Sequence, residues 1–61
     1  MEAFVEKVSI MKIEKCELIS LSCKTIIANN EYFLVKVKDI KNDKIIITWE
    51  ESSVIRLRFP V

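Results

Sequence analysis

Sixty-one residues leave room for one small domain spanning residues 1–61, with a formal net charge of +1, 51% hydrophobic residues and neither glycine nor histidine. Without glycine there is no Gly-rich phosphate loop, dinucleotide fingerprint or nucleophile elbow. Without histidine the commonest general base and the commonest metal ligand are both missing, so no enzyme, no cofactor and no metal site are expected.

At the N-terminus, Met1–Phe4 lacks the basic and apolar segments of a secretory leader, and no apolar run is long enough to span a membrane. A cytoplasmic protein with no membrane contact is the expectation. Residues 2–14 fit two readings. As a helix, Phe4, Val5, Val8 and Met11 share a face; as a strand, Phe4, Val8 and Ile10 alternate, and parity switches at Met11 before Ile13. A bulge at Ile10-Met11 produces such a switch, and the bulged strand is the favoured reading.

From Glu17 onward most of the apolar residues fall on odd numbers. Ile19, Leu21, Cys23 and Ile27 form the first set, then Phe33, Val35 and Val37, then Ile45, Ile47 and Trp49, then Ile55, Leu57 and Phe59. Period two with β-branched and aromatic enrichment is the strand signature. Asn29-Asn30, Lys41-Asn42-Asp43 and Glu51-Ser52-Ser53 punctuate the sets, and Asn and Asp accept the positive φ that glycine would otherwise supply. Three consecutive hairpins follow.

Connections of about three residues pair Ile27 with Phe33, Cys23 with Val37, Val37 with Ile47, Val35 with Trp49, Trp49 with Ile55 and Ile47 with Leu57. This register places Trp49 in the core and has one blemish, Asp39, which lands on the apolar face near the sheet's edge; the opposite parity would set apolar against polar. Cys16 and Cys23, seven apart, point to opposite faces of a strand, which favours buried or half-buried free thiols over a local disulfide. Lys44 and Glu50-Glu51 flank the Ile45–Trp49 run as charged gatekeepers, and Pro60 ends the last strand.

The expected fold is all-β: a small five-stranded antiparallel meander, or a partly open barrel in the general style of SH3-like or OB-like modules. The alternative is α+β, with an N-terminal helix covering a four-stranded antiparallel sheet.

The same register gathers the even-numbered residues into two rows. Lys24, Lys36, Thr48 and Arg56 form one, and Ser22, Lys38, Ile46 and Arg58 the other, with Tyr32 at the margin. Like charges opposite one another destabilise a sheet, so such a face implies an anionic partner. The ordinary account, a solvated face rich in Lys and Arg, covers the same residues. The functional expectation is a small protein-binding module that uses Lys24, Lys36, Lys38, Arg56, Arg58 and Tyr32. Its partner would be another protein with an acidic surface, and a regulator or inhibitor of the phage or mobile-element type fits the size. One alternative uses the same face for RNA or DNA, with Tyr32 stacking on a base. Another is a structural homo-oligomer, since a small core rich in apolar residues often completes its burial in a second copy.

Overall fold

The computed structural model describes residues 3–6 and 9–60. Its centre is an open, three-stranded antiparallel meander: β2 (Cys16–Ile27), β3 (Asn30–Asp39) and β4 (Lys44–Glu51). A short strand β1 (Ala3–Glu6) lies parallel to β4, giving the order β1-β4-β3-β2. A 3-10 turn (Ile10–Lys12) sits between β1 and β2, and a helix α1 (Ser52–Arg58) follows β4 and packs on the sheet.

These observations correct the expected all-β, five-stranded fold in two places. The segment read as a fifth strand is α1, because its sequence carries two periods at once. Ile55, Leu57 and Phe59 alternate, yet Ile55 and Phe59 are also four apart, with Val54 beside them on the same helical stripe. The helical period is the one used: Ile55 is buried and Leu57 is 72% exposed. Arg56 and Arg58 in the last turn complement the helix dipole, and the Phe59 N–H closes the end on the Ile55 carbonyl at 2.8 Å.

The N-terminal segment is neither the covering helix nor a bulged antiparallel strand. Ile10-Met11, where a bulge was expected, begins the 3-10 turn, whose Met11 N–H is capped by Ser9 Oγ at 3.2 Å. Val8, part of both readings, lies outside the described residues. The sheet is covered instead by α1 together with the 3-10 turn.

The strand register also differs from the expected one. Val37 pairs with Ile46 and Val35 with Thr48; Leu21 pairs with Val35 and Ile27 with Asn30. Two local features set this parity. The β2–β3 turn has only two residues, Ala28 and Asn29, both with positive φ (49° and 67°), as a type I′ turn requires. The β3–β4 turn has four, and Asp39 organises it by accepting hydrogen bonds from the Asn42 N–H (3.3 Å) and Asn42 Nδ2 (2.8 Å). Asp43 takes a positive φ of 52° there. Within β2, register shifts at Leu18/Ser20 and Ser22/Thr25, the second around Cys23 with φ 53°, bend the outer strand as bulges do.

The core lies between one sheet face and a lid made of α1 and the 3-10 turn. Ile10, Ile13, Val35, Val37, Ile46 and Ile55 form it, with Cys16, Leu18, Phe33, Val54 and Phe59 packed around them. No helix among the described residues is long and apolar enough to cross a membrane.

Candidate partner-binding face

On β4 the covered face carries Ile46, Thr48 and Glu50, while Ile45, Ile47 and Trp49 alternate onto the opposite, uncovered face. Thr48 and Glu50 are 2% and 5% exposed, whereas Trp49 is 46% exposed. The tryptophan expected in the core therefore stands on the surface. The carboxylate of Glu50 is stabilised inside by three donors: the Ile10 N–H at 2.9 Å, and the hydroxyls of Ser9 and Thr48, each at 3.3 Å. A buried acid held in this way anchors the chain before β2 to the end of β4.

The uncovered face is built from four cross-strand rows. Ile45 pairs with Lys38, Ile47 with Lys36, Trp49 with Leu34 and Glu51 with Tyr32. Ser20, Ser22 and Thr25 extend the last three rows onto β2 by pairing with Lys36, Leu34 and Tyr32. Trp49 and Tyr32 are diagonal neighbours, a spacing of about 7–8 Å between backbones. With Thr25 and Ile27 they line an open cleft of about 520 Å³.

The six residues expected to form one basic surface are split between two. Lys36, Lys38 and Tyr32 lie on the uncovered face. Lys38 pairs with Asp43 at 3.7 Å, while Lys36 enters no ion pair among the described residues. Lys24 sits at the bulge in β2, 3.7 Å from Glu31. Arg56 and Arg58 belong to α1, on the other side of the sheet.

Arg58 has a structural task there. Its guanidinium donates to the carbonyls of Ile13 (2.6 Å) and Glu14 (3.1 Å) and to Cys16 Sγ (3.2 Å). The two rows that gathered five cations required a fifth strand, and the helix removes it. Cys16 is half-buried, and Cys23, expected to be at least partly buried, is exposed.

A second concavity of about 260 Å³ lies beside α1, where Leu18, Leu21, Phe33, Ile55 and Phe59 meet Arg56 and Glu31 at the rim. It continues the core toward β2 and carries little polar chemistry. Among the described residues, no group of three or more His, Cys, Asp or Glu side chains is placed to hold a metal ion.

Sequence reasoning set Ile45, Ile47 and Trp49 on the core face, whereas they lie on the uncovered one. The signal was present in Glu50: a carboxylate one residue from Trp49 demands either solvent or donors, and Ser9 and Thr48 supply donors. Compared with known proteins, the chain matches no family model, no curated protein and no solved structure.

Proposed function

We propose that the chain is a non-enzymatic protein-binding module that docks its partner on the sheet face opposite α1. The observation that carries this reading is the inverted alternation of β4. Its apolar residues Ile45, Ile47 and Trp49 line the uncovered face, and its polar residues Thr48 and Glu50 are buried. A strand selected only for a two-layer fold would place them the other way round, because apolar burial contributes about 25 cal/mol per Å². Trp49 and Tyr32, flanking Leu34, supply the large amphipathic contacts that dominate protein interfaces.

The test is affinity capture by the tagged wild type, by Trp49→Glu and by Leu57→Glu. Leu57 is a still more exposed apolar residue, but it lies on the helix side. A discrete protein, whether a second copy or another chain, that is retained by Leu57→Glu and lost by Trp49→Glu supports the reading. Equal capture by Trp49→Glu, or material that disappears on nuclease treatment, overturns it.

A further inference from the structure

We infer that the partner on this face is a second copy of the same chain, packed sheet to sheet about a two-fold axis through the Leu34–Trp49 row. This rests on the reading of the face as a protein-docking surface and goes further by naming its occupant.

The first support is the charge layout. A two-fold interface must be self-complementary, because each residue meets the partner of its own symmetry mate. On either side of the Leu34–Trp49 row lie two rows of opposite character. One holds Lys36 and Ile47, and the other holds Tyr32 and Glu51. An axis in the plane of the interface, perpendicular to the strands, exchanges these two rows. It brings Lys36 of each copy over Tyr32 of the other, beside Glu51, so an ammonium that enters no ion pair among the described residues gains both a ring face and a carboxylate. Leu34 and Trp49 then lie against their own copies at the centre, in the dry position favoured for aromatic anchors.

The second support is the exposed anchor: Trp49, at the centre of the face, is 46% exposed. Antiparallel strands with one face covered readily pack the other face against a second sheet.

The experiment is sedimentation equilibrium of the full chain over a wide concentration range, with near-ultraviolet circular dichroism confirming that each variant is folded. The wild type is expected to be a dimer. Trp49→Glu should weaken it by at least about thirtyfold. Lys36→Glu should weaken it by about tenfold, and adding Glu51→Lys should restore most of that loss, because the pair is exchanged across the axis.

A wild type that stays monomeric at hundreds of micromolar overturns the second-copy inference. The docking face itself survives that result if Trp49→Glu still abolishes capture of another chain. A dimer unchanged in folded Trp49→Glu overturns both the inference and the face. Failure of Glu51→Lys to rescue Lys36→Glu removes the proposed axis.

Discussion

Glu50 Oε2 accepts a hydrogen bond from the Ile10 backbone N–H at 2.9 Å, tying the start of the 3-10 turn to the end of β4 across forty residues. Ile10 is fully buried, so its N–H has no access to water once the carboxylate is removed. Glu50→Ala is expected to destabilise the fold by about 2–3 kcal/mol, the cost of a buried donor left without a partner. Glu50→Gln keeps an acceptor oxygen and should lose less. Urea unfolding of both variants checks this ranking, and equal losses would show that the charge itself, not the acceptor, stabilises the turn.

Arg58 closes the same segment from the helix side. Its contacts with two carbonyls and a thiol sulfur use the planar, forked geometry that lysine lacks. Arg58→Lys should therefore cost nearly as much as Arg58→Ala, about 1–2 kcal/mol in either case. Because Arg58 faces away from the uncovered sheet face, neither variant should change partner capture beyond its effect on folding. A capture defect in a stably folded Arg58→Lys protein would return this residue to the binding surface.

Much of the meander was legible from the chain, but its register was not. The apolar runs of β3 and β4 and the turn residues Asn29 and Asp43 are where period two and side-chain chemistry place them. Register is not legible because apolar residues do not face inward on every strand, and β4 is the exception. Its interior carries Thr48 and Glu50 because the segment from Ser9 to Ile13 supplies donors and apolar cover from far away in sequence. The α1 segment failed for a different reason, since seven residues satisfy both periods and only its packing against Ile10 and Val35 decides between them. The candidate site inherited both errors. Lys36, Lys38 and Tyr32 share a face as expected, while Arg56 and Arg58 left it with the helix and Trp49 entered it with the register.

The β2–β3 turn offers a gain rather than a loss. Ala28 holds φ at 49°, a left-handed conformation that costs a residue with a Cβ about 1–2 kcal/mol. Ala28→Gly removes that cost, offset in part by the greater freedom of glycine in the unfolded chain. A net stabilisation of about 1 kcal/mol is expected, which raises Tm by about 4–8 °C in a domain of this size. Thermal unfolding measures it. A lower Tm in Ala28→Gly would mean that the turn does not hold Ala28 in the left-handed region in solution.

Asp39 links the other turn to pH. Hydrogen bonding from the Asn42 side chain holds its carboxyl below the ordinary carboxylate value; burial opposes this, while the Asn42 and Lys41 backbone N–H groups and the Lys44 charge reinforce it. The group is more acidic folded than unfolded, so its ionised form stabilises the native state above the unfolded value. That contribution is lost as pH falls through the folded one. The advantage of the wild type over Asp39→Ala should be full at neutral pH and shrink below about pH 4, where the unfolded carboxyl begins to take up its proton. Chemical unfolding of both proteins at pH 7 and pH 3 provides the comparison. A difference in stability that stays constant across that range would show that Asp39 acts through packing alone, and the four-residue turn would then owe its geometry to Asn42 and Asp43.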